Sequence, residues 1–142
     1  MLYFAYGSNL NHVQMKERCR DSKYIKNYFL EGYLLSFCTF DHSHGVANIV
    51  KKSNSKVQGG IWNISVRDEK ELDYYEGYPI KYSKAFFKLN DEKIMFYIMK
   101  GQYSFKPPKN QYANIINQGY KDCNLDRNYL IKKLKQYRIE LN

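Results

Sequence analysis

The stretch YFAYGSNL, residues 3–10, constrains the fold of this chain more than any other. Residues 2–6 are apolar and aromatic and read as a buried strand. The run stops abruptly at Gly7, Ser8 and Asn9, residues that tolerate unusual backbone angles and can cap a helix. A helical pattern follows over 9–19, with Ser8 or Asn9 as its N-cap. A strand that turns straight into a helix aims several free amides outward, at the positive end of the helix dipole. Such a turn could hold a nucleophilic serine, cradle an anion on its amides, or simply connect two elements.

Further along, the pattern predicts an α+β protein. Asn27 to Phe40 is rich in β-favouring residues, with a turn or bulge at Glu31-Gly32. Val46 to Val50 reads as a short strand, KKSNSK (51–56) as a polar turn, and Val57 to Val66 as a strong strand. Gly59-Gly60 inside that strand predicts a kink or a close approach of backbone to a neighbour. DEKELDYYEG (68–77) predicts a helix, with Asp68 as N-cap and Glu71 completing a capping box. Gly77 would close that helix and Pro79 would stop further winding. Residues 83–89 and 93–99 alternate around Asn90-Asp91-Glu92 as a hairpin. After KPPK come two closing helices, 112–119 and 126–137, the second with Leu130, Ile131, Leu134 and Tyr137 on one face. With no repeat, linker or low-complexity tract, residues 1–142 read as one domain around a curled or closed sheet.

Composition removes several classes of function. No run approaches the ~18 apolar residues of a membrane span, and the opening MLYFAYGSN lacks the basic region and length of a secretion signal. Cys19, Cys38 and Cys123 are widely spaced without a CxxC pair, and read as reduced, buried thiols of a cytoplasmic protein. The formal charge of +9 raises the question of nucleic acid, but Lys51-Lys52 and Lys132-Lys133 are only pairs and no longer basic block occurs. A solvated basic surface that favours anionic small molecules fits better than nucleic-acid binding.

Candidate chemistry concentrates at two places. Ser8 lies in Tyr6-Gly7-Ser8-Asn9-Leu10, which is not the G-x-S-x-G nucleophile elbow, and neither phosphate-loop motif is present. His42 and His44 beside Asp41 and Cys38 suggest a metal, but DHSHG reads as a solvated loop and no further ligand pair exists, so no metal is expected. Anion binding by the amides remains open, beside the simpler reading of a bare connection. Glu76 is the second place. Standing in the last turn of its helix, it faces the negative dipole end, at a cost of about 0.3–1 kcal/mol. Tyr74, Tyr75, Tyr78 and Tyr82 crowd it, so burial would push its pKa up further, toward what general acid/base chemistry near neutrality requires. The competing reading is a surface glutamate at an imperfect helix end.

The turn and the glutamate, in this order, resemble the gamma-glutamylcyclotransferase-like family. The resemblance rests on YFAYGSNL, on VQGGIWNI (57–64), on LDYYEGYPIKY (72–82) and on the closing segment 107–134, so it covers nearly the whole chain. It implies a small mixed β-barrel with flanking helices. It also implies an enzyme that turns a γ-glutamyl amide into 5-oxoproline and a free amine by intramolecular aminolysis, without cofactor or metal. Carried onto this sequence, Tyr6, Gly7, Ser8, Asn9 and Leu10 would bind substrate, Glu76 would be the acid/base, and Tyr82 and Tyr112 would line the pocket. The partner so implied is a small γ-glutamyl molecule, with 38–56 shaping the leaving-group side. A binding module on a barrel scaffold, taking single-stranded nucleic acid or a γ-glutamyl ligand without reaction, is the alternative.

Overall fold

The computed structural model describes residues 1–141. In chain order its elements are β1 (Leu2–Ala5), a 3-10 turn (Ser8–Leu10), α1 (His12–Arg18), β2 (Lys23–Thr39), β3 (Val46–Asn63) and α2 (Val66–Glu76). Then follow β4 (Tyr82–Leu89), β5 (Glu92–Met99), β6 (Ser104–Phe105), α3 (Asn110–Asp122) and α4 (Arg127–Lys135). The six strands make one mixed sheet in the order β4-β5-β1-β3-β2-β6, with β1 parallel to β5 and every other pair antiparallel. Short β1 is central, and Tyr3, Phe4 and Ala5 are buried on both of its faces, which is why it reads as an unbroken apolar run.

Aromatic packing shows that this sheet is curled. Four strand spacings separate β4 from β2, roughly 19 Å in a flat sheet. Yet the rings of Phe87 on β4 and Tyr28 on β2 stack at 5.4 Å, 8° from parallel, and Phe4 meets both edge-on. Tyr33 on β2 likewise reaches Phe96 on β5 at 5.6 Å. The sheet is therefore wrapped as a half-barrel around its own aromatic side chains, as expected of kinked strands.

Several local expectations are corrected. The N-cap of α1 is Asn11, whose side chain accepts from the Gln14 amide, because Ser8 and Asn9 are taken up in the 3-10 turn that precedes it. In α2 the N-cap is Ser65; Asp68 is the residue three positions on that answers it in the capping box. KKSNSK is not a turn between strands. Pairing resumes on both sides of it, with Glu31 opposite Lys56 and Tyr33 opposite Lys51, so residues 52–55 bulge out of one long hairpin opposite Gly32. His12 packs its ring on Tyr24 and Trp62 at 4.7 and 4.9 Å. The short strand β6 had no sequence signal. The β4–β5 hairpin is as expected, with Asn90 and Asp91 both at positive φ, the backbone that a two-residue loop demands. Among the described residues no helix is long and apolar enough to cross a membrane.

Two helices finish the surroundings of the sheet. On β2, Tyr129 and Tyr137 take hydrogen bonds from the amides of Leu35 and Phe37, through hydroxyls at 3.2 and 3.3 Å. α3 packs against the turn that follows β1. Gly119 approaches it so closely that a Cβ there would lie 2.6 Å from the Asn11 nitrogen and the Leu10 Cβ. The Asn11 side chain donates to the Ile115 carbonyl (3.2 Å), and the Asp122 carboxylate accepts from the His12 amide (2.9 Å). The turn is thereby pinned from outside. Gly119→Ala should cost about 1–3 kcal/mol through overpacking against backbone that cannot yield, read as a lowered denaturation midpoint with an unchanged denaturant slope.

Candidate active site

A cavity of about 240 Å³ lies where the end of β1, the start of β3, the end of α2 and the start of α3 converge. Of the residues singled out in the sequence, Tyr6, Gly7, Ser8, Asn9, Glu76, Tyr82 and Tyr112 all stand on its wall. Leu10 does not. It is fully buried in the core, against Gly60 and Gly119, because the 3-10 turn rotates its side chain away from the cavity. Within the turn the Leu10 amide donates to the Gly7 carbonyl (3.0 Å) and the Asn11 amide to the Ser8 carbonyl (3.1 Å). The amides of Gly7, Ser8 and Asn9 have no backbone acceptor among the described residues.

Glu76 is the last helical residue of α2. Gly77, at φ +67°, donates to the Tyr74 carbonyl, and the Tyr78 amide to the Asp73 carbonyl, so the helix stops there in a Schellman arrangement. Burial pushes the Glu76 carboxyl up to about 7, with the Arg18 guanidinium pulling the other way. Among the described residues no hydrogen bond stabilises its ionised form. A carboxylate in the last turn is thus desolvated as well as dipole-opposed.

The tyrosines around it are anchored to backbone. Tyr6 donates to the Tyr97 carbonyl and Tyr82 to the Ala47 carbonyl, both at 2.7 Å. Tyr112 accepts from the Ala47 amide at 3.0 Å, so two phenols hold both polar groups of one β3 residue. Tyr97 donates to Asp73 at 2.6 Å, and Lys84 pairs with that carboxylate at 2.9 Å. Burial raises all of these phenols, Tyr112 to about 12, so they remain neutral. The cysteines are buried too, with thiols pushed up to about 11–12, and none lines the cavity. His42 and His44 are exposed in the loop between β2 and β3.

The match to known proteins spans both the turn and Glu76. Residues 3–120 match the family model described as "Gamma-glutamyl cyclotransferase, AIG2-like". The chain belongs to this family. It is 28% identical to the mouse protein named gamma-glutamylcyclotransferase, over 94% of this chain and 77% of that one. The human protein of the same name is 29% identical over the same shares. A solved structure titled "Gamma-glutamyl cyclotransferase" superposes with a TM-score of 0.82 at 27% identity, covering 99% of this chain and 88% of that one. The mixed α+β half-barrel with its flanking helices is therefore the fold of the family.

Sequence reasoning missed Tyr3, Arg18, Val46, Ala47, Lys81 and Tyr97, which also form the wall. Tyr3 and Tyr97 look like ordinary strand aromatics, and Arg18 looks like a helix-end cation complementing the dipole. Arg18 is in fact held by the Asn9 side chain at 2.9 Å and lies over the Tyr75 ring at 4.6 Å. Nothing in the local pattern marks that.

The raised Glu76 carboxyl also bears on stability. A folded-state value of about 7, above the ordinary 4.5, means that stability is full below 4.5 and falls as pH rises to about 7. Glu76→Gln removes this penalty. At pH 8 the variant should be more stable than the parent, by on the order of 3 kcal/mol, and at pH 4 the two should converge, as read by denaturant titration at both pH values.

Proposed function

We propose that this protein is a γ-glutamyl cyclotransferase in which Glu76 moves the protons of the reaction. The observation that carries the reading is a desolvated carboxylate without a hydrogen-bond partner, in the same cavity as the free amides of the Gly7-Ser8-Asn9 turn.

The substrate is a γ-glutamyl amide. Its α-ammonium loses a proton to Glu76, and the freed amine attacks the δ-carbonyl carbon within the same molecule. Collapse of the tetrahedral centre breaks the bond to the departing nitrogen, which takes the proton from Glu76. The attacking nitrogen sheds two protons in all as the ammonium becomes the lactam N–H. One completes the departing amine and the second leaves with it, so the products are 5-oxoproline and an ammonium ion, or the free amine and a proton released to solvent. Because nucleophile and electrophile are tethered, the main task of the protein is to fold the glutamyl chain into reacting geometry. The turn amides grip the α-carboxylate, and Arg18 adds positive charge beside them. Tyr82 and Tyr112, tied to Ala47, keep the opposite wall in place.

A carboxyl near 7 suits this role, since it is neither too weak a base to accept the proton nor too weak an acid to return it. Arg18 and Lys81 on the wall favour leaving amines without multiple positive charges, an argument that the overall charge of +9 supports. The test is release of 5-oxoproline, by mass spectrometry, from γ-glutamyl dipeptides, γ-glutamyl alkylamines, ε-(γ-glutamyl)lysine and a γ-glutamyl polyamine. The parent protein should turn over at least one dipeptide or alkylamine and act least on the polyamine, while Glu76→Gln stays folded and inactive. Activity should rise with pH up to about 7, where Glu76 ionises, and level off above it. A fully active Gln variant would sink the role given to Glu76.

A further inference from the structure

Five tyrosines stand on the cavity wall with buried or partly buried hydroxyls, and each phenol has a single proton to donate. Three of those protons are spent. Tyr6 gives its proton to the Tyr97 carbonyl, Tyr82 to the Ala47 carbonyl and Tyr97 to Asp73. Tyr112 and Tyr3 are different, because their oxygens receive hydrogen bonds from N–H donors.

For Tyr3 the direction of that bond is beyond doubt. The guanidinium of Arg18 can only donate, so the atom of Asn9 that it meets at 2.9 Å is the carbonyl oxygen. The other end of the Asn9 amide is therefore its NH₂, which lies 3.0 Å from the Tyr3 hydroxyl oxygen and must donate to it. Tyr3 is 3% exposed and Asn9 is also 3% exposed, so water does not compete along this line. Arg18 donates to Asn9, Asn9 donates to Tyr3, and the proton of Tyr3, which lines the cavity, has no acceptor among the described residues. A chain of donors headed by a cation polarises each successive bond, so its last O–H is a stronger donor than an isolated phenol. Tyr3 and Glu76 stand on the wall of the same cavity, and the Glu76 carboxylate adds to the burial that raises the Tyr3 phenol, so the two groups face one small volume.

We propose that the Tyr3 hydroxyl is the hydrogen-bond donor to the δ-carbonyl oxygen of the substrate, stabilising the oxyanion as the last link of the Arg18–Asn9–Tyr3 chain. The assignment rests on the cyclotransferase reading above. When the α-amine forms its bond to the δ-carbon, the carbonyl π pair moves onto oxygen, and the negative charge develops against this O–H. Tyr3 keeps its proton throughout, and the pair returns as the bond to the leaving nitrogen breaks. Burial raises the phenol, so it stays a donor over the whole working pH range. A donor of this kind acts on the transition state more than on the bound substrate.

Tyr3→Phe should lower kcat by roughly 10²-fold, with KM changed by less than about threefold. Retention of kcat within about threefold, in a parent protein that does release 5-oxoproline, overturns the assignment to Tyr3 alone. A parent protein silent on the whole substrate panel overturns the cyclotransferase reading and this assignment with it. Should Tyr3→Phe fail to fold, fluorinated tyrosines placed at position 3 carry the test, since they keep ring and hydroxyl while making the phenol more acidic. A donor to the oxyanion predicts kcat rising with phenol acidity. A flat or falling series means that the hydroxyl serves only as an acceptor for Asn9, and overturns the proposal.

Discussion

The stacking of Phe87 on Tyr28 is the contact on which the rest of this molecule depends. It joins strands four spacings apart and can exist only if the sheet is rolled. The same roll brings β4 over the start of β3, which are three spacings apart, so that Tyr82 can reach the Ala47 carbonyl at 2.7 Å. Core closure and cavity wall are thus one deformation of the sheet. Its cost is met by an aromatic cluster in which Phe4 touches both stacked rings edge-on.

Within that enclosure the electrostatics follow from what is missing around one group. Three of the cavity's phenols are tied to backbone, two of them to the single residue Ala47. Glu76 has no such tie. It ends its helix where carbonyls crowd, it is partly removed from water, and among the described residues no hydrogen bond reaches it, with the Arg18 guanidinium acting only as a nearby charge. A protein tolerates such a carboxylate only at a cost to its own stability, which is the usual signature of a group kept for chemistry.

Much of the local structure was legible. The strand over 2–6, the β4–β5 hairpin, the Gly77 stop and the bulge near Gly32 depend on residues adjacent in sequence, and they appear where the pattern puts them. The errors fall where local rules compete. Asp68 and Ser65 are both good N-caps by residue type; in the fold Ser65 takes the extended cap backbone and Asp68 answers it from within the first turn. KKSNSK has the composition of a turn, but pairing on both sides outweighs composition and leaves it as a bulge. Leu10 belongs to the signature turn by sequence and to the core by structure, since a 3-10 geometry sets where each side chain points.

By itself, the sequence determined that a strand would run into a turn with free amides, and that a glutamate would end a helix just before Gly77 and Pro79. Both are consequences of backbone preference over a few residues, and backbone preference is local. The tertiary structure decided that these two features share a cavity, that Arg18 is carried there from the far end of α1, and which tyrosine protons are spent and which two are left. Those outcomes depend on distances between segments tens of residues apart, and no periodicity or propensity in a single stretch of chain encodes them.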